Sequence, residues 1–139
     1  MIEDGVAKPG EVYLDWARRH FDRCRPWIEE ALQRQLVPSH TIDHVWEAIE
    51  GGNCVIWPTD NSVSIVELVT HPTGIRTLNG WLSGGDLEEL KWTEMAVTRY
   101  AKDNGFYALT ILGREGWGKS LEGYRKGGML FVKEVRHGY

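Results

Sequence analysis

The chain has 139 residues, 42% hydrophobic and 26% charged, and carries a net charge of −4. That length suits one domain able to bury roughly two-thirds of its unfolded surface. The acid excess argues against direct nucleic-acid binding. No apolar run reaches the roughly 20 residues that span a bilayer, and the opening MIEDGVAKPG lacks a signal-peptide core.

Residues 1–10 read as a lead-in closed by Pro9-Gly10, and 11–139 as a single domain. Glu11–Arg25 has helical spacing, with Val12, Trp16, Phe21 and Cys24 forming a stripe. Pro26 suits the first turn of a new helix, so Pro26–Leu36 is expected to continue at an angle. Thr41 can cap a helix running to Glu50, which Gly51-Gly52 ends. Three strands follow as an antiparallel meander: Asn53–Trp57, Val63–Thr70 and Ile75–Leu82.

Asp86–Asn104 is the strongest helix, capped by Asp86, with Glu88 and Glu89 at the positive end of its dipole. Leu90, Trp92, Ala96, Val97, Tyr100 and Ala101 form its expected apolar arc. Phe106–Leu112 is a strand, Lys119–Arg125 a short helix and Met129–Val135 a last strand. A strand-helix-strand unit over Ile75–Leu112 implies a parallel crossover. The expected class is α/β, with a mixed, mostly antiparallel sheet flanked by helices.

Several residue groups invite a chemical reading. Cys24 and Cys54 are expected as buried thiols with no disulfide between them. His20 with Cys24 and His40 with His44 stand four apart, but each pair is half a metal site, so no metal is expected. Gly113–Ser120 matches the spacing of a P-loop ending in Gly118-Lys119-Ser120. The chain is small for a nucleoside triphosphatase, the following helix is short, and no second apolar strand ends in an Asp for magnesium, so nucleotide binding stands only as a third, weaker reading. Arg114, Lys119, Arg125 and Lys126 make the region locally basic. They are either a solvated loop or a docking surface for an acidic partner, with Trp117 as its anchor.

The order of elements resembles the acyl-CoA N-acyltransferase (GNAT) fold. The closing segment adds Trp117, Ser120, Tyr124 and Gly128-Met129 where members of that family often carry Asn, a small residue, Tyr and Gly-Phe. The resemblance implies acetyl-CoA as cofactor and N-acetyl transfer as activity. Tyr124 would be the general acid, Glu67 the one plausible base, and the amides of Gly84, Gly85 and Leu87 the cofactor's cradle. The chain departs from the family where the cofactor's diphosphate sits. There it reads Ser83-Gly84-Gly85-Asp86-Leu87-Glu88-Glu89, without the usual Arg or Gln and with three carboxylates. One carboxylate about 5 Å from a phosphate charge costs about 3 kcal/mol at an effective dielectric near 20.

On that ground the expectation is a domain without cofactor or catalysis. LSGGDLEEL, GREGW and GY together resemble short GNAT-like proteins of tailed-bacteriophage genomes. That resemblance implies a virion or assembly component working through Trp117, Arg114 and Tyr124. Its partners would be other virion proteins, including portal or tail components, and copies of itself. Its location would be the virion or the host cytoplasm. An acetyltransferase is the alternative.

Overall fold

The computed structural model describes residues 11–112, 121–128 and 130–135. Helix α1 (Tyr13–Gln33) and helix α2 (Ile42–Glu50) precede strands β1 (Cys54–Pro58), β2 (Ser62–Thr70) and β3 (Arg76–Gly85). Helix α3 (Leu87–Asp103) and strand β4 (Ala108–Ile111) follow. The strands form one sheet in the order β1-β2-β3-β4. The first two pairings are antiparallel, and β3 runs parallel to β4, as the crossover requires.

The predicted break at Pro26 does not occur; α1 runs through it. Proline in a helix interior costs about 3 kcal/mol. However, Trp16, Ala17, His20, Phe21, Cys24, Ile28 and Ala31 form one unbroken buried stripe on both sides of the exposed Pro26. Burying each large apolar side chain is worth about 1.5–3 kcal/mol, so a continuous stripe outweighs the missing hydrogen bond. Val12, expected in the stripe, is instead the exposed residue preceding the helix. Helix α2 begins as read, and its cap is reciprocal: Thr41 accepts from the His44 N–H, and the His44 ring accepts from the Thr41 N–H.

Two cores lie on opposite faces of the sheet. Helices α1 and α2 cover Cys54, Ile56, Val63, Ile65 and Leu82. Helix α3 covers Val66 and Leu78 through Val97 and Ala101. Between Ile65 and Val66 the register shifts, leaving Trp81 as an extra residue in β3. Such a bulge bends a strand and re-aims its side chains.

The buried line of α3 is Glu89, Thr93, Val97 and Ala101, rotated from the arc that the apolar residues predict. Trp92 is 47% exposed. The helix turns polar residues inward at its start because a polar turn, not an apolar strand, lies beneath it. Residues 121–125 are not helical and 130–135 form no strand. An apolar pattern supplies side chains, but a strand exists only by pairing its backbone. Nothing among the described residues pairs with 130–135 in the sheet, and Phe131 stays 84% exposed.

Gly85 has φ +101°, and a Cβ there would lie 2.2 Å from the Asn61 carbonyl oxygen and 2.6 Å from Ser62 Cα. Gly74 also has positive φ (+88°) but open space around it. Gly74→Ala should therefore cost about 1–2 kcal/mol from backbone strain alone. Gly85→Ala should add overpacking of about 1–3 kcal/mol against backbone atoms that cannot yield. Urea unfolding of the two variants measures the difference, and equal midpoints would contradict the packing described.

Candidate functional site

The backbone pairing of β3 with β4 ends at Gly80 and Ile111, whereas β3 runs on to Gly85. A cleft of about 1060 Å³ opens where the two strands part. Trp81, Leu82 and Ser83 floor it, the end of α1 (Glu30, Arg34) forms one side, and Leu90, Glu94 and Val97 of α3 form another. Leu121, Tyr124 and the 125–128 segment close it.

The acidic start of α3 borders this cleft, and its three carboxylates have separate occupations. Asp86 caps the helix, Oδ2 accepting from the Glu89 N–H at 3.0 Å. Glu88 is exposed and stands 3.9 Å from Lys91 Nζ. Glu89 is buried and turns away from the helix end. Its Oε1 accepts from the Asn61 backbone N–H at 2.8 Å and its Oε2 from Asn61 Nδ2 at 2.9 Å. The Thr59 hydroxyl, the Asn61 donors and the Arg23 charge outweigh burial and hold the Glu89 carboxyl below its usual range. The Asp86 N–H is taken by the Asn61 carbonyl and the Leu90 N–H by the Asp86 carbonyl. Leu87 and Glu88 are left as first-turn N–H groups with no partner among the described residues.

The cation that the turn itself lacks comes from elsewhere in the chain. Arg34, just past the end of α1, donates from Nη2 to the Ser83 carbonyl at 3.0 Å and from Nη1 to Glu30 at 2.8 Å. Gly84 and Gly85 are also tightly packed. A Cβ on Gly84 would sit 3.0 Å from Trp27, and one on Gly85 would strike Asn61. Their bareness serves internal packing, and both glycines line the cleft together with Leu87.

Glu67 stands in register with Cys54 on one side and Asn79 on the other, and Asn79 pairs in turn with Thr110. Thr110 donates to Asn79 Oδ1 at 3.0 Å, and Asn79 Nδ2 lies 3.4 Å from Glu67 Oε1. Asn79 and Thr110 line the cleft; Glu67 lies behind them. Burial, helped by the Glu67 charge, pushes the Cys54 thiol up to about 11, so it stays protonated. Tyr124 lines the cleft and donates to Glu94 Oε2 at 3.0 Å. Arg114, Trp117, Lys119 and the P-loop-like stretch lie outside the described residues.

Cys24 and Cys54 are both buried and share no disulfide. The Cys24 Sγ faces the Ser62 carbonyl at 3.9 Å, and the His20 Nδ1 lies 3.1 Å from Arg23 Nη2. His44 caps α2, and the His40 ring meets Trp81 edge-on at 4.8 Å. Among the described residues no three His, Cys, Asp or Glu side chains converge to hold a metal. Sequence reasoning missed Arg34 and the inward role of Glu89. A basic residue 49 positions before Ser83 carries no local signal, and an acid in a first helical turn reads as a dipole partner.

No family model and no curated protein matches the chain. Solved structures do. A tetramutant of the BH1408 protein from Bacillus halodurans superposes with a TM-score of 0.60 at 14% identity, covering 90% of this chain and 97% of that one. A ribosomal-protein-alanine N-acetyltransferase from Brucella melitensis biovar Abortus 2308 gives 0.58 at 14% identity, covering 91% and 96%. A point mutant of the TTHA1254 protein from Thermus thermophilus gives 0.54 at 15% identity, covering 86% and 95%. The fold is GNAT-like.

The lowered Glu89 pKa has a defined sign. Its stabilisation is fully present above the unfolded carboxyl value of about 4.3 and is lost as pH falls through the lower folded value. Glu89→Gln keeps one acceptor but sets an amide N–H against Asn61 Nδ2, costing about 1–3 kcal/mol at pH 7. Urea midpoints measured from pH 7 down to pH 3 should fall steeply in the wild type below about pH 4 and more gently in the variant.

Proposed function

We propose that the cleft between β3 and β4 binds an acyl-CoA, acetyl-CoA first, for transfer of the acyl group to an amine. The observation that carries this reading is the disposition of the α3 acids: Glu89 faces the hairpin and Asp86 caps, so the Leu87 and Glu88 N–H groups are left open at the helix start, where Leu87 and Arg34 line the cleft. A helix N-terminus with open N–H groups and a guanidinium beside it suits a diphosphate. The fold shared with an N-acetyltransferase adds support at the level of architecture.

In this reading Arg34, Leu87 and Glu88 hold the phosphates, and the splay of β3 from β4 takes the thioester arm. The bound group supplies a thioester carbonyl open to attack by an amine. Asn79, steadied by Thr110, presents its amide to the cleft, and Glu67 behind it is the carboxylate to receive the amine's proton. Tyr124 stands in the same cleft, in the position where the resemblance places a proton donor.

A second reading rests on different observations. Trp27 and Asn61 fill the space beside Gly84 and Gly85 that a phosphate would approach, and Leu130, Phe131 and Val135 present apolar surface to solvent. These features suit a phage-encoded structural or assembly component that contacts other virion proteins or its own copies, in the virion or the host cytoplasm, without a cofactor.

Isothermal titration with acetyl-CoA separates the two. The enzyme reading expects a micromolar Kd, weakened about 10-fold in Arg34→Ala through loss of a charge-assisted hydrogen bond. No heat up to millimolar ligand, together with a ring-sized species on size exclusion, would replace it with the structural reading.

A further inference from the structure

Glu94 and Tyr124 lie 30 residues apart and meet through a hydrogen bond of 3.0 Å, the phenol donating to Oε2. The same Oε2 accepts from the Thr98 hydroxyl at 2.9 Å, one helical turn further along α3. Both Glu94 and Tyr124 are half-buried, and both line the cleft. Residues 121–128 form no regular secondary structure and pair with no strand, so no sheet or helix ladder holds them in place. The Tyr124–Glu94 bond is a side-chain tie from this segment to α3.

We propose that Glu94 and Tyr124 form the tie that builds one wall of the cleft. In this role Tyr124 is a positioning residue for the ligand and not the proton donor of an acyl transfer. The proposal rests on the acyl-CoA reading for the identity of the ligand, but the tie exists without it.

The chemistry of the pair supports this assignment. Acyl transfer to an amine breaks the C–S bond and leaves a thiolate that needs one proton. A phenol that gives that proton becomes a phenolate, here beside a carboxylate. Burial first, and then the charge and hydrogen bond of Glu94, raise the Tyr124 pKa above its ordinary value of about 10. A thiol ionises near 8.5, so transfer from such a phenol to a thiolate runs uphill. Lys91 and Thr98 on α3, and Glu122, Arg125 and Lys126 on the segment itself, are charged and polar neighbours in sequence. Of these, Thr98 bonds Glu94, and Lys91 leans toward Glu88 at 3.9 Å. A residue whose proton is directed at a carboxylate is suited to holding and poorly suited to donating.

The test uses the whole protein with trypsin, because Arg125 and Lys126 are exposed cleavage sites beside the tie. Cleavage there follows opening of the segment. Glu94→Ala and Tyr124→Phe should each speed it about 10-fold, and the double variant no further, since each removes the same charged hydrogen bond. Glu94→Gln keeps an acceptor for the phenol and should restore slow cleavage. In ¹³Cζ-tyrosine spectra, Glu94→Gln should lower the pH at which Tyr124 ionises, which a merely structural role would not do. Wild-type cleavage rates in Tyr124→Phe, additive effects in the double variant, or an unmoved Tyr124 titration would each overturn the tie. Where transfer is measurable, Tyr124→Phe should raise KM and spare kcat. A kcat loss of about 100-fold or more at unchanged KM would make Tyr124 the acid and refute the assignment. These proteolysis and spectral results need no cofactor, so silence toward acetyl-CoA would remove the ligand reading and leave the tie standing.

Discussion

The turn Thr59–Asn61, between β1 and β2, is the point on which the two faces of the molecule meet. Its carbonyls need donors and its N–H groups need acceptors, and opposite layers of the fold supply them. Arg23 of α1 donates to the Thr59 carbonyl at 2.7 Å and to the Asp60 carbonyl at 3.0 Å. Glu89 of α3 accepts from the Asn61 backbone and side chain. A cation and an anion on opposite sides of one backbone turn supply its donors and acceptors, and the Arg23 charge favours the ionised form of the buried Glu89. The Asp86 N–H also bonds the Asn61 carbonyl at 2.8 Å, so the same turn fixes the first residue before α3.

From that constraint the shape of the cleft follows. With α3 anchored at its start, the last residues of β3 must pass between the Asn61 turn and Trp27 of α1. Only residues without a Cβ fit there, which is why Gly84 and Gly85 stand together. The strand end is then tied from the other side by Arg34, whose bond to the Ser83 carbonyl holds the end of α1 against it. Farther back, the extra residue Trp81 bends β3 where its pairing with β4 has just stopped. Bulge, glycine pair and anchored helix together part the two strands and leave the cleft open.

Much of this architecture is legible in the chain. Periodicity together with caps and turn residues locates every helix and strand described. The helix expected up to Arg125 and the last strand over 130–135 do not form, and other departures come where one residue type outweighs its neighbours. Pro26 reads as a boundary because its missing N–H is a local fact, whereas the seven buried side chains that override it belong to a helix face seen only as a whole. The rotation of α3 has a related cause. Its Trp and Tyr residues suggest a buried face, but Glu89 and Thr93 lie inward because their partner is the polar hairpin. At the site, Tyr124 and Leu87 line the cleft, while Glu67 lies behind Asn79. Arg34 and Glu94 are invisible in the sequence because their partners lie 49 and 30 residues away and no spacing rule links them.

Counting charges along a sequence and summing them in space give different answers at the start of α3. Three acids within four positions suggest a site hostile to phosphate. In the fold, the charge of Glu89 is taken up by Asn61 and Thr59 and faces Arg23 across the hairpin. Glu88 lies in solvent, where screening cuts its reach to about 8–10 Å at physiological salt. That leaves Asp86 and the solvated Glu88 against Arg34, itself shared with Glu30 at 2.8 Å; each unit charge about 5 Å from an anion is worth about 3 kcal/mol at an effective dielectric near 20, before screening. Direction, more than number, sets the potential that a ligand meets there, and directions are fixed by the hairpin clamp that no linear spacing encodes.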